Sequence, residues 1–164
     1  MGVRERINGN KTAAIATILV LVGGAAGTTF WMNSGGIPAL LTTSYYSDDD
    51  GKSYFAEETS KISPFDHNGK QAVRATVFRY GGGKPFVGYL ARLNDSGRKR
   101  MEELRAGPPT QATEGAMAAI AAKDTEFKRP GDDKWEPIGS PAVAAILNPV
   151  PPPGETGDLT SVEP

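Results

Sequence analysis

The spacing of apolar and polar residues divides this chain into stretches with different periods. From Thr12 to Ser47 no residue is charged, and within that stretch Thr12–Met32 (TAAIATILVLVGGAAGTTFWM) is predominantly apolar without a polar face. A helix of 1.5 Å rise per residue needs roughly 20 such residues to cross a bilayer, so this segment predicts a transmembrane helix. Between Ala72 and Leu93 the period changes to that of strands. AVRATVFRY (72–80) sets Val73, Ala75 and Val77 against Arg74, Thr76, Phe78 and Tyr80, and FVGYLARL (86–93) follows after Gly81-Gly82-Gly83-Lys84-Pro85. β-Branched and aromatic residues joined by a short glycine-rich link predict two antiparallel strands with both faces partly covered.

Turn signals place further elements around this pair. Tyr45-Tyr46 and Tyr54-Phe55 flank Asp49-Asp50-Gly51-Lys52, and Asn68-Gly69 precedes the first strand of the pair. Asp-Gly and Asn-Gly supply the positive φ angles of tight hairpins. A helix follows from Asn94, a capping residue, through RKRMEELR to Gly107-Pro108-Pro109, with Met101 and Leu104 on its inner face. Residues 106–115 read as a linker, Ala116–Lys123 as a short helix, Arg129–Asp132 as a turn, Trp135–Ile138 as a strand with Trp135 as its core anchor, and Ser140-Pro141 as the start of a helix over AVAAIL. From Pro149 the chain is proline-rich and then acidic, which predicts a disordered tail. The expected fold class is α+β: an N-terminal transmembrane helix, then a small antiparallel sheet of three or four strands with two or three short helices, then that tail. The expected boundaries are 1–11 for a cytoplasmic N-terminus, 12–32 for a signal anchor, 33–44 for a linker, 45–148 for an extracytoplasmic domain and 149–164 for the tail.

Length and composition agree with one small domain and appendages, since 20 glycines and 13 prolines among 164 residues leave few positions for regular structure. Charge changes the picture more. The net charge of −1 hides a basic N-terminus (Arg4, Arg6, Lys11), a basic block over 65–107 and an acidic final third. Basic residues before the apolar run and Asp48-Asp49-Asp50 after it leave the N-terminus in the cytoplasm and the domain outside it. Trp31 then falls at the outer headgroups. Cleavage after Gly24-Ala25-Ala26, giving a secreted domain, is the alternative. Gly23 and Gly27 have the small-xxx-small spacing at which membrane helices approach closely, and so are candidates for self-association.

Candidate chemistry is sparse. With no cysteine, there is no disulfide, thiolate zinc site or thiol nucleophile. Laying a calcium-loop template with Gly51 at its sixth position puts Asp48, Asp50 and Glu57 at ligand positions, but Tyr46 stands where the first aspartate belongs, and a hairpin fits every residue. Gly-Gly-Gly-Lys lacks the spacing and the following Ser or Thr of a phosphate loop. His67 is the sole histidine and sits in a polar turn, so it reads as a surface residue. Arg98-Lys99-Arg100 is an interaction candidate on the first helix, although the acids beside it favour a solvated face over nucleic acid.

The run SPFDHNGKQAVRATVFRYGGGKPFVGYLARLN (63–94), a helix, and then RPGDDKWEPIGSPAVAAIL (129–147) resemble a family of small N-terminally membrane-anchored proteins of planctomycete-type bacteria. In that family FDHNGK-AVRA-VF and GKPFVGYL-R patterns precede PGD-KW-P. The resemblance covers residues 45–148 and implies the anchored architecture without an activity. Relatives with cysteines here imply a ribbon-like metal site, which this cysteine-free chain lacks or keeps only as a vestige.

No catalytic constellation emerges. The expectation is a non-enzymatic, single-pass extracytoplasmic interaction protein of the cytoplasmic membrane, an accessory or scaffold subunit of an envelope complex. Its partners would be the lipid bilayer, other envelope proteins or itself, with no cofactor and no nucleic acid. A ligand- or calcium-binding module without catalysis is the alternative.

Overall fold

The computed structural model describes residues 42–164. The expected cytoplasmic N-terminus, the membrane span with Gly23 and Gly27, and most of the linker lie outside the described residues. Among the described residues no helix is long and apolar enough to cross a membrane.

The strand β4 (Lys70–Tyr80) organises the domain by pairing antiparallel with four others. β3 (Phe65–His67) folds back on its first residues, β1 (Thr43–Ser47) pairs at Val73 and Arg74, β5 (Phe86–Leu93) pairs along its length, and β8 (Leu159–Val162) pairs with Val77–Tyr80. β2 (Phe55–Glu58) extends the sheet beyond β1, and β6 (Thr125–Lys128) and β7 (Glu136–Pro137) extend it beyond β5. The path β2-β1-β4-β5-β6-β7, with β3 and β8 beside β4, makes eight strands among the described residues. Three or four were expected. The helices are α1 (Asp95–Ala106), α2 (Gln111–Asp124) and the single turn α3 (Val143–Ile146).

The predicted hairpins form where backbone chemistry demands them. Asp50 and Gly51, at φ 63° and 78°, and Asn68 and Gly69, at φ 55° and 80°, provide consecutive left-handed residues. Arg129–Asp132 closes with a hydrogen bond of 3.2 Å from the Asp132 N–H to the Arg129 carbonyl, and Gly131 takes φ 85° there.

Both sheet faces are covered, as the imperfect alternation implied. One carries Val73, Ala75, Val77, Val87 and Leu90, with Tyr45, Tyr54, Trp135 and Val162 packed on them. The other carries Tyr89 and Phe127 beneath Ile138, Val143 and Ile146. Val87 and Leu90 share a face despite their odd spacing because Val77 pairs with Val87 while Thr76 pairs with Tyr89, leaving Gly88 as an unpaired bulge residue. A Cβ on Gly88 would come within 2.5 Å of the Phe78 ring. Ser63 stands between β4 and β5: its hydroxyl accepts from the Arg74 N–H at 3.1 Å and donates to the Ala91 carbonyl at 3.2 Å.

Several expectations need correction. The C-terminal tail is not disordered along its length, because Leu159–Val162 is a strand of the sheet and Pro149 is buried, its carbonyl accepting from the Tyr80 hydroxyl at 2.8 Å. Backbone pairing with a distant edge needs no apolar run, so composition did not reveal it. The second helix begins at Gln111 inside the expected linker, because Thr110 and Thr113 form a reciprocal capping box. The helix expected from Ser140 is reduced to Val143–Ile146, while Thr125–Lys128 adds an unforeseen strand.

Candidate functional site

α1 and α2 join the neighbouring strands β5 and β6, yet they pack chiefly on each other. Each has a local reason to form. The Asn94 side chain accepts from the Gly97 N–H at 2.8 Å, Asp95 complements the positive helix start and Arg105 the negative end. α2 is alanine-rich, so propensity sustains it without much burial. Only the base of this arm is buried, at Gly97 and Met101 of α1 and at Ile120 and Asp124 of α2. There the Asn94 N–H reaches the Asp124 carbonyl at 2.9 Å, and Arg100 forms an ion pair with the Asp124 carboxylate. Beyond the base a cleft of about 480 Å³ opens between the helices, lined by Leu104, Ala116, Ala119 and Ile120 and edged by Arg100, Glu103 and Lys123.

The basic run predicted as an interaction surface lies on this arm, but its three members differ. Arg98 pairs with Glu102 at 3.2 Å and Arg100 with Asp124, whereas Lys99 is exposed on α1 with no ion pair among the described residues. The run is therefore a solvated face with one available cation, offset by the neighbouring acids.

The acidic turn sends its carboxylates in different directions. Asp48 accepts from His67 Nδ1 at 2.8 Å, Asp50 pairs with Lys128 Nζ at 2.6 Å, and Glu57 accepts from the Glu58 N–H at 3.2 Å. A calcium loop requires its oxygens to converge on one point. Here Asp48, Asp50 and Glu57 do not, and among the described residues no group of three or more His, Cys, Asp or Glu side chains could hold a metal ion. Burial of the Asp50 carboxyl works against ionisation, but the Lys128 ammonium and the Gly131 N–H outweigh it and hold its pKa below the ordinary value. Asp50 thus ties the β1–β2 turn to the β6–β7 turn.

Asp49 closes the turn itself. It accepts from the Ser53 hydroxyl at 2.6 Å, the Ser53 N–H at 2.9 Å and the Ser47 hydroxyl at 2.9 Å. These bonds, that of the Ser53 hydroxyl foremost, lower its pKa from 3.8 to about 2. A depressed carboxylate pKa means that the stabilisation is complete above the unfolded value and is lost as pH falls through the folded one. Asp49→Asn is expected to cost about 1 kcal/mol or less at pH 7, after allowance for solvent screening. The difference from the native chain should shrink to a small remainder by about pH 2, where Asp49 is protonating. Urea midpoints at the two pH values measure this, and a deficit independent of pH would refute it.

His67 is more involved than its place in a polar turn suggested. Its ring stacks on Phe55 at 4.0 Å between centroids, and its Nδ1 meets Asp48. This resembles a base oriented by a carboxylate. The far nitrogen, however, faces the Asn68 amide at 3.4 Å, which is not a nucleophile. No sequence signal joins Asp48 to His67; the register of two hairpins does. Trp135 completes a second cluster, with the Arg92 guanidinium 4.3 Å and Lys128 Nζ 5.4 Å from its ring centroid and Arg92 paired to Glu126 at 3.0 Å. In the glycine-rich turn the Gly83 N–H donates to the Tyr80 carbonyl at 2.8 Å, and a Cβ on Gly83 would overlap the Glu155 carboxylate.

The arm is the candidate interaction site, and the charged clusters hold turns to the sheet. Compared with protein-family models, with curated proteins and with solved structures, the chain matches none.

Proposed function

We propose that the chain is a single-pass membrane-anchored interaction protein whose sheet domain stands outside the cytoplasm. It presents the α1–α2 arm to another envelope protein, as an accessory or scaffold subunit. The observation that carries this reading is the arm itself. Two helices of 12 and 14 residues are inserted between adjacent strands, buried only at their base, and separated by a cleft with an apolar floor and charged edges. An antiparallel strand pair needs only a short turn to connect it, so the insertion is not required by the sheet. Burying the cleft floor against a partner would supply the stabilisation that the arm lacks alone. The tether in this reading rests on the uncharged run Thr12–Met32 between basic and acidic flanks.

The test is mild detergent extraction of the full chain with a C-terminal tag, followed by size analysis and mass spectrometry. A stoichiometric partner is expected to copurify. Ala119→Arg, at an exposed position lining the cleft, should abolish copurification while changing stability by no more than about 0.5 kcal/mol. A chain that elutes alone, or a partner retained undiminished by A119R, would remove the arm from this role.

A further inference from the structure

Among the described residues the exposed large apolar side chains are Val150, 67% exposed, and Leu159, 39% exposed, and both belong to the C-terminal strap. β8 itself presents Leu159, Thr160 and Ser161 to solvent and packs only Val162 on the core. Its hold on the sheet is therefore mostly backbone pairing with Val77–Tyr80. The Gly81 N–H adds a bond to the Asp158 carbonyl at 3.0 Å, and the Tyr45 hydroxyl one to the Glu163 carbonyl at 3.0 Å. A strand with so few buried side chains belongs to the least stable part of a fold and opens locally.

The connection before β8 joins a proline run to a turn, which the Glu155 N–H closes on the Pro152 carbonyl at 3.1 Å. Pro149, Pro151, Pro152 and Pro153 fix φ and favour extended backbone. To return to β4 within one molecule, the chain then takes left-handed backbone at Gly154 and Gly157, with φ 87° and 112°. It also passes so close to Gly81 that a Cβ there would meet the Thr156 carbonyl at 2.9 Å. Every contact β8 makes with β4 is equally available to β8 of a second molecule. The hinge alone distinguishes the two arrangements, and its proline run favours the extended path that carries β8 to a second molecule.

We propose that the Val77–Tyr80 edge of β4 is a strand acceptor filled by β8 of a second copy of this chain, two molecules exchanging residues 159–162 reciprocally about their proline-rich hinges. This surface is separate from the helical arm, so the two readings fail independently.

The absence of cysteine makes the test unambiguous. Arg79 and Thr160 lie opposite each other across the β4–β8 ladder. Full-length R79C and T160C chains carrying different tags are co-expressed, extracted in mild detergent and oxidised. The expected product carries both tags, at least about tenfold above that from R79C paired with R79C or T160C paired with T160C. Replacing Pro151, Pro152 and Pro153 together by glycine frees the hinge to reverse and should lower that product several-fold. Two results would overturn the proposal. One is an R79C/T160C double variant that oxidises wholly within single chains while the mixed chains give no two-tag product. The other needs no substitution: a native full-length chain that remains monomeric in detergent at every concentration.

Discussion

Phe127→Ala is expected to lower the free energy of unfolding by about 3–5 kcal/mol, a large part of the roughly 5–15 kcal/mol that holds a domain together. Phe127 is 1% exposed on β6 and meets Tyr89 edge-on at 6.0 Å between ring centroids. Above it lie Ile138, Val143 and Ile146. The covering layer is thin, because α3 is a single turn without a side-chain cap and buries only Val143 and Ile146. Truncating the ring therefore leaves a cavity under a segment too short to collapse into it as a unit. Urea unfolding of the full chain in detergent, followed by tryptophan emission, measures the loss. A deficit below about 1 kcal/mol would show that the cavity closes readily and that the layer is less rigid than its packing implies.

Gly97→Ala should destabilise, against the usual sign. In a solvent-exposed helix the change from glycine to alanine is favourable by about 1 kcal/mol. Gly97, however, is buried in α1, and an added Cβ would lie 2.5 Å from Asp124 Cβ and 3.3 Å from the Asn94 side-chain oxygen. The first contact would force the helices apart at the base of the arm, and the second would disturb the cap that starts α1. Overpacking of this kind costs about 1–3 kcal/mol, enough to offset the propensity gain and leave a net loss. Thermal unfolding of the variant gives the sign directly. A raised midpoint would mean that α2 can retreat freely from α1 and that the arm has no fixed base.

The parts of the fold that were legible in the sequence depend on neighbours in the chain. β5 starts and stops where its apolar run and flanking turn do, and α1 lies between Asn94 and Gly107, both of which act as caps. Asn68-Gly69 turns as its dihedral freedom requires. What escaped depends on distant partners. Leu159–Val162 contributes one packed side chain and is a strand only because Val77–Tyr80 is there to receive it. Thr125–Lys128 has Phe127 as its one deeply buried residue, too few to set a period. The start of α2 escaped because threonine replaces the usual Glu or Gln at the third position of its capping box. At the candidate site the sequence located the basic run and the acidic turn but not their partners, since Asp124 meets Arg100 and His67 meets Asp48 through tertiary packing. The cleft was invisible for the same reason, being formed by two helices of which only one was placed at full length.

The position of β8 in the chain also sets a timetable for biosynthesis. Thr160 is 81 residues downstream of Arg79, so at about 5–20 residues per second β4 leaves the ribosome roughly 4–16 s before the strand that completes its edge. β3, β5 and β1 can all pair with β4 during that interval, whereas the Val77–Tyr80 edge stays vacant until residues 159–162 emerge. Neighbouring ribosomes on one message would hold several chains at this stage together, each with a vacant edge, while the chains ahead expose residues 159–162. The choice between a strand of the same molecule and that of a sibling would then be made during synthesis, before neighbouring chains ever part.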